Sequence, residues 1–167
     1  MSSHGDRGID AGRSSGEAAP FHVEDLLGYL RGPWLFERTV FDGLRDEDGT
    51  CTGRAVFTPH SHNAVEALNY SELGELNLNG ITTTTEREYI YAFPAPSQAE
   101  VRFTDGRFFH LLDLTKGMVR VEHVCGDDTY QGLFRILSDK AWLSVWRVKG
   151  PRKSQVITTH YLRDVAP

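Results

Sequence analysis

The sequence predicts an all-β protein: a single antiparallel up-and-down barrel of about eight to ten strands, preceded by a short helix. Short segments rich in β-branched and aromatic residues alternate with turn residues, a rhythm typical of β-sandwiches and barrels. An up-and-down sheet of this width has two exposed edges unless it closes, and closure removes them. The length of 167 residues suits one domain with its own hydrophobic core.

Composition narrows the function classes. Hydrophobic residues make up 40% of the chain and charged residues 25%, as in ordinary globular proteins. A net charge of −5 disfavours nucleic acid and anionic membranes as partners, because binding to both depends on excess Lys and Arg. The first residues do not resemble a secretory signal, so we expect a cytoplasmic protein. In such a reducing compartment we expect no disulfide between Cys51 and Cys125.

Two segments precede the predicted strands. Residues 1–19 are rich in Gly, Ser and charge and lack apolar periodicity, so they are expected to form a disordered tail before a barrel domain at 20–167. A short helix is then predicted, which ends at Gly32-Pro33. Its apolar residues recur at helical spacing and are Val23, Leu26, Leu27 and Leu30.

The remainder of the chain is predicted to form strands. The turn at Asp105-Gly106 is a strong two-residue hairpin signal, whereas the acidic segment from Asp42 to Gly53 is predicted to contain a long turn. The predicted strands are 34–41, 50–58, 63–71, 82–93, 98–104, 107–115, 118–125, 128–137, 141–148 and 154–163.

Several short motifs carry a family resemblance. Gly32-x-Trp34 opens the first strand, and Arg163 ends the last one. The longer strings are Leu68-x-Tyr70-x-Glu72-x-Gly74, Arg87-x-Tyr89, Phe103 to His110, His123-x-Cys125-x-x-Asp128-x-Tyr130, and Trp146-x-Val148-x-Gly150-Pro151-x-Lys153. Together they resemble a bacterial and fungal family of calycin-like, lipocalin-like proteins of unknown function. The resemblance implies a barrel in which the late Arg packs on the early Trp at the closed end, and it implies no activity.

Alternating strand directions predict which connections meet at the open end. These connections are 42–50, 72–81, 105–106, 125–128 and 149–153. We therefore expect one mouth to be ringed by Glu72, Asp105, Arg107, Cys125, Asp128 and Lys153. The side chains expected to reach into the lumen are those of His110, His123, Arg87 and Tyr89.

Three titratable residues are the candidate catalytic groups. His110 and His123 lie in strong strand patterns, and a histidine exchanges protons near neutral pH. Glu72 would do similar work if burial raised its pKa. The alternative for each is a structural polar residue whose hydrogen bonds are satisfied by a neighbouring Tyr or Asp, and the sequence leaves that choice open.

The candidate ligand contacts combine aromatic rings with a few polar groups. Arg87, Tyr89 and Tyr91 alternate and so share one strand face, which predicts an anion anchor flanked by two aromatic surfaces. The alternative is a solvent-facing edge with ordinary cross-strand aromatic pairs. The other predicted ligand contacts are Tyr70, Cys125, Asp128, Tyr130, Trp146 and Lys153.

No metal site is expected. His123, Cys125 and Asp128 are of zinc-binding types, but a second paired element is missing from the sequence. A haem-binding barrel similar to nitrobindin is a further alternative, because His160 lies near the C-terminus. Against it, His160 alternates with Tyr161 and Arg163 and so is expected to face outward.

The sequence therefore predicts a barrel whose partner is a small molecule. The first function is a cofactor-free acid/base enzyme that isomerises, dehydrates, cyclises or hydrolyses a small anionic or aromatic substrate. The second function is a non-catalytic binder or carrier. The sequence leaves the choice between them open, along with the identity of the ligand and the oligomeric state.

Overall fold

A computed structural model describes residues 19, 21–62 and 65–165, and within them the chain forms one short helix and ten strands. The predicted tail 1–19 lies outside the described residues except for Ala19. The elements are α1 (Leu26–Leu30), β1 (Gly32–Asp42), β2 (Glu47–His62), β3 (Val65–Leu78), β4 (Ile81–Ala95), β5 (Gln98–Arg102), β6 (Phe108–Asp113), β7 (Met118–Cys125), β8 (Asp128–Ser138), β9 (Ala141–Gly150) and β10 (Lys153–Arg163).

The strands form one antiparallel sheet that curls into a nearly closed barrel. Their order is β6-β5-β4-β3-β2-β1-β10-β9-β8-β7, so the first and last strands of the chain's β region pair with each other. The sheet ends, β6 and β7, lie side by side, and His123 Nδ1 on β7 is 3.1 Å from the Phe109 carbonyl oxygen on β6. This line of contact between β6 and β7 is called the seam below. The predicted all-β barrel is confirmed.

The β1–β2 and β3–β4 hairpins are longer and tighter than predicted. β1 and β2 pair continuously up to Asp42 and Glu47, so the predicted long acidic turn is wrong and the actual turn covers only 43–46. The predicted connection at 72–81 is also wrong, because β3 continues to Leu78. The turn there is Asn79-Gly80, with φ of 52° and 77°, as type I′ hairpins require.

Two glycines in the middle of β2 and β3 make room for a core ring. Gly53 and Gly74 face each other across β2 and β3, in the middle of long strands. A Cβ built on either glycine would come 2.8 Å from Cζ of Phe36, so both positions must lack a side chain to admit this ring. Glycine in a strand here marks a close approach of backbone to ring.

The helix and the chain ends close one end of the barrel. Asp25 caps α1 by accepting a hydrogen bond from Gly28 N at 3.0 Å. The helix is shorter than the apolar spacing predicted, because it begins only at Leu26, and Val23 is buried ahead of it. Trp34 is fully buried, and its Nε1 donates to the Leu30 carbonyl oxygen at 2.8 Å.

The predicted plug of this closed end is confirmed. The guanidinium carbon of Arg163 lies 3.8 Å from the ring centre of Trp34. A cation over an indole face is electrostatically favourable. Arg163 also donates to the backbone oxygens of Arg31, at 2.9 Å, and of Tyr29, so it ties the last strand to α1.

Two smaller findings complete the fold. Cys51 is buried and Cys125 is exposed, and both are free thiols. With five residues, α1 falls far short of the length needed to cross a bilayer, and no longer helix occurs in the described parts of the chain.

Candidate ligand-binding site

A cavity of about 590 Å³ lies inside the barrel. This volume is within the range of pockets that hold small organic molecules. Most of its lining residues lie on strands, and two groups among them form walls of different chemistry. The polar wall comes from β1, β3, β4 and β10 and consists of Arg38, Tyr70, Glu72, Arg87, Thr159 and Tyr161. The aromatic wall comes from β6 to β9 and the residue after β5, and consists of Phe103, Phe109, His110, His123, Phe134, Trp142 and Trp146.

The polar wall is organised by a buried ion pair between Arg38 and Glu72. Arg38 Nη1 donates to Glu72 Oε1 at 2.7 Å, and Nη2 donates to Oε2 at 2.9 Å. The third guanidinium nitrogen, Nε, donates to Thr159 Oγ1 at 2.8 Å. The side chains are only 5% and 1% exposed, so this bidentate pair is shielded from water. All three guanidinium nitrogens of Arg38 therefore donate to Glu72 or Thr159, and Arg38 does not face a ligand as a free cation.

Two tyrosines extend this network. The Tyr70 hydroxyl donates to Glu72 Oε2 and lies 3.2 Å from the Tyr161 hydroxyl. Burial raises the pKa of both phenols, so both stay protonated at neutral pH. The Glu72 carboxylate thus accepts hydrogen bonds from a guanidinium and a phenol, which leaves little of its lone-pair capacity for a substrate.

Glu72 differs from the sequence prediction in two respects. It lies in the middle of β3, opposite Arg87 of β4, and is only 4% exposed, whereas the sequence placed it at the rim. Burial alone raises its pKa, but hydrogen bonds and charge from Arg38, the Tyr70 hydroxyl and the Arg87 charge outweigh burial and lower the pKa below its ordinary value. The condition for acid/base work by Glu72, a pKa raised by burial, is therefore not met, and Glu72 is a carboxylate at neutral pH.

Arg87 is the second cation of the polar wall, and its surroundings differ from those of Arg38. Its side chain is 42% exposed, and its Nε is 3.7 Å from Glu72 Oε1. Among the described residues it has no other polar partner. Its two terminal nitrogens are therefore available to a ligand, as the sequence prediction of an anion anchor requires.

The charges at the mouth are paired with each other. Asp128 and Lys153 meet there at 3.1 Å, and Lys153 Nζ is 3.2 Å from the Tyr130 hydroxyl. Arg107, which lines the cavity, pairs with Asp105 at 2.7 Å. Asp128 and Lys153 are not among the described residues that line the cavity. Those predicted site residues that do line it are Tyr70, Glu72, Arg87, Tyr89, Tyr91, His110, His123, Cys125, Tyr130 and Trp146.

The aromatic wall is a set of rings in mutual contact. Phe103 stacks on Phe109 with centroids 4.7 Å apart and an interplanar angle of 11°. Phe109 stacks on Trp146 at 5.3 Å and 23°, and Trp146 meets Phe134 edge to face at 5.7 Å. Tyr89 links the two walls, because its ring lies 6.0 Å from Tyr70 and 5.7 Å from Phe109. These rings present flat apolar surface to the cavity.

His110 belongs to this wall as a neutral ring. Its centroid lies 5.2 Å from Phe134 and 5.4 Å from Trp146. Its buried Nδ1 has no hydrogen-bond partner in the described chain. Burial, followed by the influence of His123, lowers its pKa to about 3, so the prediction that it exchanges protons near neutral pH is wrong.

His123 is held in one orientation at the seam. A carbonyl oxygen can only accept, so the 3.1 Å contact with Phe109 requires that Nδ1 carries the proton. In the neutral ring Nε2 is then an acceptor. His123 lines the cavity together with the other two predicted catalytic residues, Glu72 and His110.

Two alternatives find no support in the site. His160, which suggested haem, is exposed on the outer face, so its ring is directed away from the cavity. Within the described residues, His, Cys, Asp and Glu do not gather in threes as metal ligands would.

The sequence reasoning missed Arg38 and Tyr161 as cavity residues. The Tyr161 ring stacks on Trp142 with centroids 3.8 Å apart at 5°, and both rings are buried. Arg38 was missed because charged residues on strands usually face water. The signal was period-two alternation from Trp34 through Phe36 to Arg38, all of which are buried.

The chain folds as a nearly closed, ten-stranded antiparallel barrel with an internal cavity. Residues 30–163, most of the chain, match the family of unknown function DUF6314, and the protein belongs to that family. Among curated proteins, none matches the sequence.

Three solved structures are similar to this chain at low sequence identity, and the first of them shares its fold. The S-type phycobiliprotein lyase CPES from Guillardia theta has a TM-score of 0.63 and 7% identity, with 84% of this chain and 92% of that chain covered. A fluorescence-activating β-barrel designed de novo has a TM-score of 0.43 and 11% identity, with coverages of 84% and 98%. The redesigned barrel mFAP1, bound to DFHBI, has a TM-score of 0.41 and 12% identity, with coverages of 82% and 97%.

Proposed function

We propose that the protein binds a small, planar, aromatic organic molecule inside the barrel. The observation that carries this proposal is the cavity of about 590 Å³ with one wall of contacting rings. Aromatic rings pair favourably at centroid distances of about 4.5–7 Å, and such pairs add about 0.5–1.5 kcal/mol beyond the burial of their surface. A flat ring entering this cavity gains both contributions without rearranging the wall.

The charge states of the site favour binding over catalysis. Glu72 is ionised, with its oxygens engaged by Arg38 and Tyr70. His110 is uncharged and enclosed by rings. Two of the three predicted acid/base groups, Glu72 and His110, are therefore structural parts of the cavity walls. A carrier or sensor of a small molecule is the function that this geometry supports best.

The test is isothermal titration of the protein with 2-naphthoate, a planar bicyclic probe. We expect saturable binding, and we expect Trp146→Ala to weaken it about tenfold or more, because a stacking partner is removed. The matched control is Phe41→Ala, which removes an exposed ring from the outer side of β1. Absence of saturable binding to the unaltered protein, or equal weakening by both substitutions, would contradict the proposal.

A second candidate function is a cofactor-free acid/base enzyme acting on the same class of molecule. One observation favours it: the hydrogen bond to Phe109 fixes the His123 ring and leaves Nε2 as a proton acceptor beside the cavity. In this candidate His123 is the base, and Arg87 stabilises the negative charge that develops when the proton leaves.

A further inference from the structure

We infer that the ligand is a monoanion whose charged group binds Arg87, and that Glu72 sets this preference by cancelling the charge of Arg38. This inference rests on the proposed function and names the chemical class of its ligand. It also assigns Glu72 a role different from acid/base chemistry, namely that of a specificity-determining residue.

The polar wall has a net charge of one positive unit. The wall holds two guanidinium groups and one carboxylate. Arg38 and Glu72 form a bidentate pair with both side chains almost fully buried, so their charges cancel at close range. The positive charge that remains is that of Arg87, and one negative charge on a ligand balances it.

Arg87 is the cation that is accessible to a ligand. Its side chain is 42% exposed and lines the cavity, while the mouth cations Arg107 and Lys153 already pair with Asp105 and Asp128. A guanidinium presents parallel N–H donors in a plane, which matches the two oxygens of a carboxylate. A carboxylate, or another planar oxyanion, is therefore the group that fits this position.

Glu72 disfavours a second negative charge on the ligand. Its Oε1 is 3.7 Å from Arg87 Nε, so an anion bound to Arg87 already lies near a carboxylate. A dianion would bring a further charge into a site with no cation left to balance it. A neutral ligand would cover Arg87 without replacing the water that solvates it.

The position of the rings allows one molecule to satisfy both walls. Arg87 and Tyr89 are two residues apart on β4 and face the same side, and the Tyr89 ring lies 5.7 Å from Phe109 of the aromatic wall. A planar acid can thus place its carboxylate at Arg87 and its ring against the aromatic wall.

The experiment compares three probes that share one ring system, by isothermal titration at pH 7. They are 2-naphthoate (one negative charge), 2-naphthamide (neutral) and naphthalene-2,6-dicarboxylate (two negative charges). We expect 2-naphthoate to bind about tenfold or more tightly than either of the others, as the loss of a charge-assisted hydrogen bond implies.

Two substitutions separate the roles of the polar residues. Arg87→Met should weaken 2-naphthoate about tenfold or more and leave 2-naphthamide within about twofold. The control Arg54→Met removes an exposed arginine that pairs with Asp164 outside the cavity, and it should change neither affinity. Glu72→Gln adds one net positive charge to the wall, so the dicarboxylate should gain relative to 2-naphthoate.

The outcomes distinguish the two proposals. If 2-naphthamide binds the unaltered protein as tightly as 2-naphthoate, if the dicarboxylate binds best, or if Arg87→Met has no effect, the charge inference is overturned while the aromatic binding site stands. If none of the three probes binds saturably, the proposed function fails and the inference fails with it. Arg87→Met leaves the buried Arg38–Glu72 pair intact. Its result therefore tests the inference even if the Glu72→Gln variant does not fold.

Discussion

The polar wall and the aromatic wall face the same cavity, yet they are held together in different ways. In the polar wall, Arg38, Glu72, Tyr70 and Thr159 are joined by directed hydrogen bonds, so each member needs its partners. In the aromatic wall, rings pack side by side and each contributes area. Loss of one polar residue should therefore weaken the hydrogen bonds of the other residues in its wall. Loss of one ring should remove only the packing contacts of that ring.

This difference explains why titratable residues in the cavity are poor guides to catalysis. Glu72 is surrounded by donors, which lower its pKa, whereas His110 is buried among rings, and burial followed by the influence of His123 lowers its pKa to about 3. Both pKa values move away from neutrality for opposite physical reasons. In each case the wall, more than the residue type, decides the protonation state.

The largest expected effect comes from breaking the buried pair. Arg38→Met leaves the Glu72 carboxylate buried without its bidentate partner, and we expect the free energy of unfolding to fall by about 3–5 kcal/mol. Urea unfolding at pH 7 measures this. The double variant Arg38→Met/Glu72→Leu removes both charges and should recover most of the loss. A fall of less than about 1 kcal/mol for Arg38→Met would show that the pair does not hold the wall together.

An intermediate effect is expected for His110, and it depends on pH. The folded pKa is about 3 and the unfolded value about 6.5, so below pH 6.5 the unfolded state takes up a proton that the folded state refuses. Stability from this residue is thus fully present above pH 6.5 and decreases as the pH falls towards 3. Between pH 7 and 4.5 the loss amounts to about 2–3 kcal/mol.

The variant His110→Phe tests this account of the aromatic wall. It keeps a ring in the wall and removes the titration, so its stability should decrease less steeply with acidification by about that amount. Thermal or urea unfolding at several pH values measures the two slopes. Parallel slopes for the variant and the unaltered protein would mean that His110 is not a buried neutral ring.

The smallest effect is expected at the seam, where the aromatic wall has its one directed bond to the backbone among the described residues. His123→Phe removes the hydrogen bond to the Phe109 carbonyl oxygen, and we expect a loss of about 0.5–1.5 kcal/mol. Glu122→Gln, an exposed neighbour on β7, is the control and should be neutral. An unchanged free energy of unfolding for His123→Phe would show that the hydrogen bond at the seam does not stabilise the fold.

The closed end was predictable because the Gly32-x-Trp34 and Arg163 motif resembles a family in which the late Arg packs on the early Trp. The turn residues and strand rhythm predicted the barrel. The alternation of Arg87, Tyr89 and Tyr91 likewise predicted the strand face that lines the cavity.

The polar wall was not predictable in the same way. Arg38 and Glu72 are 34 positions apart, on β1 and β3, and they meet across β2. Their contact depends on the register of these three strands, and the sequence suggested a β2 that begins only at residue 50 and a β3 that ends at residue 71. A single sequence contains the pattern of faces but not this register.

The most direct test is a crystal structure of the protein with 2-naphthoate. It should show the carboxylate within hydrogen-bonding distance of the Arg87 terminal nitrogens and the rings against Phe109 and Trp146. A probe bound on the outer surface, or one with its carboxylate among His110 and Phe134, would contradict the assignment of one polar and one aromatic wall to a single ligand.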